Sequence, residues 1–424
     1  MRILWLSHLV PFPPRGGNVQ RSYNLLRQAA HFAEVSLVAL NLQGEAPERL
    51  REHREALETF CAGVEIWNLP YPWKGSRWWA EALRSPLYAT TFSSRAFFSD
   101  GLCNRWERKL ADYQDAVVHV DSIDLALYIA AIGRLRKVLN HHNCESALAL
   151  RRAAQETNPV RRRFLQTEAW KLARLEHAHC GNFNVNMAVC EEDRKRLLAA
   201  SPSAHFHVVE NGVDTDYFQP IRGREEGCTA IFTGTLDWQP NLSAVRYLIG
   251  GIWPLVRQGC PDAKLILAGK NPPAEIFRLA GAIPGVEVFP NPWDMRPLLA
   301  RAAVYVCPIL EGGGTRLKIL DAMAMGKAVV STTIGCEGLR VKPQRDILRR
   351  DQPGEFASAV LRLFREEDLR SVLGRSSREV AEREYSWVRA GGQLKIAYEC
   401  AARKAQPTLR GVAHVDASIR DPRC

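Results

Sequence analysis

A chain of 424 residues has room for two or three domains. Its 46% hydrophobic and 24% charged content excludes global disorder and a small scaffold that needs disulfides to hold a core. Lysine and arginine number 57 against 46 acidic residues, and the net charge of +11 favours an anionic partner: a phosphate-bearing ligand, an acidic membrane surface or nucleic acid. Eleven cysteines are scattered from Cys61 to Cys424 without a CxxC pair, so reduced thiols are expected. The opening MRILWLSHLVPFPP is interrupted by His8, Pro11, Pro13 and Pro14, too short a run for a signal peptide. No stretch reaches the roughly 18 apolar residues that span a bilayer, so the expected location is the cytoplasm, with peripheral association at the inner face of the plasma membrane consistent with the charge.

In chain order, the apolar runs ILWLSHLV, VSLVALN, GVEIWNLP, AVVHVDS, KVLNHH and NFNVNMAV alternate with helical stretches. Runs without strict alternation are strands buried on both faces, hence a mostly parallel sheet covered by helices. The second half repeats this grammar with CTAIFTG, AKLILAG, GVEVFP, AAVYVCPI and KAVVST. The class is therefore α/β, two doubly wound Rossmann-like units, with the ligand expected between them. The turn-rich segment VVENGVDTDYFQPIRGREEG marks a hinge near residue 220. The expected domains are 1–220 and 221–385, followed by a helix over 386–402 that packs back near the first domain and a frayed tail over 403–424. The most basic stretch, Arg151 to Arg174, has apolar residues near helical spacing and reads either as a solvated helical face or as a docking face for anionic lipid head groups.

The strongest chemical signal is PILEGGGTRLKILDAMAMGKAVVST. A strand runs into Gly312, Gly313 and Gly314, and a helix follows that Gly326 ends. Glycine N–H groups and a helix amino terminus suit phosphate oxygens. Thr315, Arg316 and Lys318 add polar and cationic groups beside them, while Glu311 and Asp321 could accept hydrogen bonds from ribose. Two further loops follow strands: Gly16 and Gly17 ahead of a helix carrying Arg21, and Gly234 with Thr235 at the end of the first strand of the second unit. At the end of another strand stand His141, His142, Asn143 and Glu145, more suited to a polar site than to a core. His177, His179 and Cys180 lack a fourth ligand at zinc spacing, so no metal is expected there. NTPase phosphate loops, esterase elbows, zincin motifs and the GxGxxG fingerprint are missing from the sequence.

These residues resemble a known family, the family 4 glycosyltransferases of the GT-B fold. VVENGVDTDYFQP resembles the family's hinge signature and EGGGTRLKILDAMAMGKAVVSTTIGCEGL its donor-site signature, and the likeness extends in order to about residue 400. The chain looks most like bacterial sugar transferases associated with exopolysaccharide synthesis. The resemblance implies two domains facing across a cleft, and a metal-independent, retaining transfer of sugar from a UDP- or GDP-linked donor to a glycan or lipid-linked acceptor. It implies no cofactor, because the nucleotide-sugar is a substrate. Gly16 and Gly17 match the loop that approaches the donor phosphates, His142 the histidine that hydrogen-bonds the donor sugar, and Asp321 a ribose-binding Glu shortened by one methylene.

Two departures stand out. The family's first acid, eight positions before Asp321, falls on Gly313, so Glu311 is the candidate substitute. The basic pair after the first strand of the second domain is replaced by GTLDWQPN, leaving Arg316 and Lys318 to supply the positive charge. Rival readings are a GT-B nucleotide-sugar epimerase and a non-catalytic basic protein that binds nucleic acid or a membrane. Nucleic acid is not the expected partner, because no aromatic and basic residues interleave on one strand platform.

Overall fold

The computed structural model describes residues 1–42, 44–69, 76–221 and 223–403. The tail expected over 403–424 lies outside the described residues beyond Arg403. Two compact units form among the described residues, one from Met1–Val209 together with the described chain from Gly391 to Arg403, the other from Glu210–Ala390. The first division falls ahead of the hinge read near residue 220.

The first unit has seven parallel strands: β1 Arg2–Ser7, β2 Glu34–Asn41, β3 Gly63–Asn68, β4 Val117–Val120, β5 Lys137–Asn140, β6 Val185–Ala188 and β7 Phe206–Val208, in the order β3-β2-β1-β4-β5-β6-β7. The second has six: β8 Glu226–Thr235, β9 Lys264–Lys270, β10 Val286–Pro290, β11 Ala302–Cys307, β12 Ala328–Ser331 and β13 Leu348–Arg349, in the order β10-β9-β8-β11-β12-β13. The strands pair in parallel, as the continuous apolar runs require: β4, β5, β6, β11 and β12 are buried along their whole length because helices cover both faces. The eleven runs read from the sequence all form strands. β7 and β13 escape such a reading, since three and two residues carry no measurable period.

From Pro353 onward the chain is helical, over Pro353–Arg365, Glu367–Glu384 and Trp387–Arg403. The last of these buries Leu394, Ala397, Tyr398 and Ala401, four residues at helical spacing that complete the core of the first unit. The arginine-rich stretch lies on helices Glu145–Gln155 and Pro159–Cys180, the second capped by the Asn158 side chain accepting from the Val160 and Arg161 amides. That helix leaves Val160 and Trp170 exposed, with the Arg174 guanidinium 4.7 Å from the Trp170 ring centroid. No helix among the described residues is long and apolar enough to cross a membrane.

Candidate functional site

Each sheet reverses its winding once, between β1 and β4 in the first unit and between β8 and β11 in the second. Loops leaving neighbouring strands in opposite directions open a crevice at such a point, on the carboxyl edge of the sheet. The residues singled out from sequence gather at these two places.

In the second unit, Gly234 has φ +155°, and a Cβ there would stand 2.6 Å from Lys318 Nζ and 2.9 Å from Asn241 Nδ2. Glycine lets the ammonium approach the strand this closely. Lys318, in the first turn of helix Leu317–Ala324, donates to Asn241 Oδ1 at 2.6 Å, and Asn241 Nδ2 donates to the Thr235 carbonyl at 2.7 Å. The ammonium also sits 4.4 Å from the Phe232 ring centroid. Burial lowers the Lys318 pKa to about 8, with Cys307 opposing the fall and Arg316 adding to it. Arg316 folds back over the glycine turn, donating to the Gly313 carbonyl and to the Gly314 carbonyl at 3.0 Å. Gly312, at φ +122°, is where that fold-back demands a missing side chain: a Cβ would meet Arg316 Nη2 at 2.7 Å. Thr315 is buried and accepts from Asn211 Nδ2 at 2.6 Å. Glu311 is buried at the start of the turn, Asp321 is half-buried in the helix, and Gly326 at φ +68° ends that helix. The turn thus gathers around Arg316, and Gly234 with Thr235 around Asn241 and Lys318.

In the first unit the centre is Asp121, fully buried just after β4. It accepts from Ser7 Oγ at 3.2 Å, Ser22 Oγ at 2.5 Å and Asn140 Nδ2 at 2.7 Å, and its Oδ1 lies 3.6 Å from His119 Nε2 and 3.5 Å from His142 Nε2. Burial opposes its ionisation, but the His142 and His119 imidazoles hold the carboxyl well below the usual range. Arg21, also buried, donates from Nη2 to Asn140 Oδ1 at 2.8 Å, and burial lowers its pKa to about 10. Behind Asp121, His119 stacks on Trp5 with centroids 3.5 Å apart, and its Nδ1 is 2.7 Å from the Tyr398 hydroxyl.

His142 Nε2 stands 2.9 Å from the Asp121 carbonyl oxygen, which can only accept, so the Nε2 proton is donated there. Nδ1, the other ring nitrogen, is buried with no hydrogen-bond partner among the described residues. Gly16, at φ 94°, caps helix Gly17–Ala30, and the space where a Gly17 side chain would be is open. Asn143 donates instead to Glu145 Oε1 at 3.0 Å. His177, outside this cluster, has Nδ1 2.6 Å from the Ala200 carbonyl.

Sequence reasoning singles out none of Asp121, Ser22, Asn140, Asn211 or Asn241. Asp121 carries a signal, an acid directly after a buried parallel strand. Asn241 carries none, because its contact with Lys318 spans 77 positions.

Burial pushes His8 and His141 down to about 4 and lowers His119 as well. In the unfolded chain the His8 and His141 imidazoles take up protons near pH 6.5, whereas the folded state leaves them neutral down to about pH 4. Between about pH 6.5 and about pH 4 the unfolded state binds more protons, so stability falls as the pH drops through that window. Urea midpoints are expected to fall between about pH 7 and about pH 5 even at high salt, where repulsion among surface charges is screened. An unchanged midpoint would show that the imidazoles are not held neutral.

Residues 227–366 match the family model described as glycosyl transferases group 1. An uncharacterised 44.6 kDa protein in the cps region of Klebsiella pneumoniae is 33% identical over 118 residues, 26% of this chain and 30% of that protein. A phosphatidyl-myo-inositol mannosyltransferase of Mycolicibacterium smegmatis is 28% identical over 202 residues, 45% of this chain and 51% of that protein. The chain thus spans about half the length of the mannosyltransferase and less of the other. Among solved structures, sucrose-phosphate synthase from Thermosynechococcus elongatus superposes with a TM-score of 0.69 at 16% identity, over 94% of this chain and 98% of that one. HepE of Anabaena in complex with UDP gives 0.63 at 15% identity, over 94% and 100%. With two all-parallel Rossmann-like sheets and these neighbours the chain has the GT-B fold, and its residues 227–366 match the family model of the glycosyl transferases group 1.

Proposed function

We propose that the protein is a glycosyltransferase that moves a sugar from a nucleotide-sugar donor to a glycan or lipid-linked acceptor, with retention at the anomeric carbon and without a catalytic metal. The observation that carries this reading is the Lys318 ammonium, held by Asn241 against Gly234 at the winding reversal of the domain that matches the family model. A group-transfer reaction with a diphosphate leaving group needs positive charge in place before the bond breaks, and preorganised charge commonly does more than any other effect to lower such a barrier. Lys318 supplies that charge. Arg316 shapes the turn so that Gly312, Gly313, Gly314 and Thr315 present backbone N–H groups to the phosphates, a part the family resemblance also gives to the Gly16 and Gly17 loop. Asp321, with Glu311, accepts from the ribose hydroxyls. His142 Nδ1 accepts from a hydroxyl of the donor sugar, while Arg21 and Asn143 line the same loops.

The likeness to a protein of a cps region supports a role in exopolysaccharide synthesis. The UDP carried by HepE supports a uridine donor over a guanosine one. The arginine-rich helix with exposed Val160 and Trp170 supports peripheral docking on an anionic cytoplasmic leaflet, where polybasic segments gain on the order of 1 kcal/mol per cation. Co-flotation with anionic liposomes at low salt tests that docking.

Incubation with UDP-, GDP- and ADP-sugars, read by nucleoside diphosphate release that depends on an added acceptor, tests the transfer. Conversion of the donor to an epimer with no acceptor present would favour the epimerase reading instead. Gly234→Ala is expected to abolish the thermal shift given by the effective nucleotide, because its Cβ would drive Lys318 and Asn241 apart. A shift equal to that of the unmodified protein would remove Lys318 from the donor site.

A further inference from the structure

Away from the Asp121 cluster, at the edge of the first sheet, three side chains with donor atoms for a borderline-soft metal meet. His207 lies on the edge strand β7 and His205 directly precedes it, so the two side chains, two positions apart, meet on one side of the chain. Their Nε2 atoms are 3.0 Å apart. Cys400, on helix Trp387–Arg403 and 195 positions from His205, brings its Sγ to 3.5 Å from His205 Nε2. All three donor atoms lie within 4.8 Å of one another.

The spacing matches what a tetrahedral zinc ion imposes. With Zn–N near 2.0–2.1 Å and Zn–S near 2.3 Å, tetrahedral angles put two nitrogens about 3.3 Å apart and a nitrogen and a sulfur about 3.6 Å apart. The observed 3.0 Å and 3.5 Å need only a few tenths of an ångström of relaxation. An imidazole pair with a thiol is also the donor set that favours zinc over magnesium or calcium, which take oxygen ligands. The backbone at His205 is already fixed, because its carbonyl accepts from the Asn186 amide at 2.8 Å.

We propose that His205 Nε2, His207 Nε2 and Cys400 Sγ bind one zinc ion, with water in the fourth position. Binding displaces the Cys400 thiol proton to solvent, so the site gains a thiolate and two neutral imidazoles. The ion staples the carboxyl-terminal helix to the sheet edge, joining the two segments of the first unit across the 195 positions that separate Cys400 from His205. β7 is three strands removed from β4, so this metal is structural and separate from the transfer chemistry.

The test uses the full chain without a polyhistidine tag, stripped with chelator and titrated with zinc chloride and, separately, cobalt chloride. Zinc at about 100 times its dissociation constant should raise the Tm by roughly 5 °C. Cobalt should give a thiolate-to-metal charge-transfer band at one equivalent. Cys400→Ser should lose that band, and His207→Ala should lose the zinc-dependent Tm shift while remaining folded by circular dichroism. No cobalt band in the parent protein, or a band that survives Cys400→Ser, would overturn the proposal and leave the three side chains as a hydrogen-bonded cluster.

Discussion

Replacing Lys318 with methionine is expected to lower kcat/KM for donor turnover by roughly 100-fold or more, about 3 kcal/mol of transition-state stabilisation. Methionine is an unbranched apolar side chain of similar length, and it removes the charge together with its contacts to Asn241 and to the Phe232 ring. The thermal midpoint should therefore move far less than the rate. The pH dependence gives an independent reading of the same group. Since burial sets the Lys318 pKa at about 8, the cation is present below that pH and is lost above it. The kcat/KM profile, which reports the free enzyme, should fall as the pH rises through about 8, and Lys318→Met should flatten that limb. A variant with unaltered kcat/KM would show that the diphosphate finds its counter-charge elsewhere.

Asp121→Ala is expected to destabilise the first unit by about 3–5 kcal/mol, the usual consequence of breaking a buried charged network from one side. The loss is large because several groups depend on one carboxylate. Ser7, Ser22 and Asn140 lose their acceptor, and His119 and His142 lose the anion that faces them. Asp121→Asn keeps the shape, and should fall between the alanine variant and the parent. Chemical denaturation monitored by tryptophan fluorescence checks both, with Trp5, stacked on His119, as a local reporter. If alanine cost less than about 1 kcal/mol, the cluster would be hydrated and open, and Asp121 would not organise it.

The parts of the fold that can be read from sequence are those with a local cause. Continuous apolar runs mark the parallel strands, and Gly312 and Gly314 in the turn before one helix, with Gly326 after it, are legible because positive φ favours glycine. His142 and Lys318 stand out by their place after a strand. Their partners do not: Asn241 and Asn211 reach Lys318 and Thr315 across 77 and 104 positions, and nothing local to an asparagine announces such a contact. Arg316 shows the reverse case. Its charge is legible, but its fold-back onto the Gly313 and Gly314 carbonyls depends on the path of the turn, which composition does not encode. Tyr398 reaches further still, placing a phenol against His119 from 279 positions away.

That last contact follows from the way the chain is threaded. One unit is contiguous, from Glu210 to Ala390, whereas the other is assembled from two segments that flank it. During synthesis the contiguous unit can close as soon as it clears the ribosome. The split one must wait for Leu394, Ala397, Tyr398 and Ala401 before its interior is sealed. Until then, the imidazole stacked on Trp5 lacks the hydroxyl that completes its surroundings, so the polar cluster around Asp121 is finished last although most of its residues are made first.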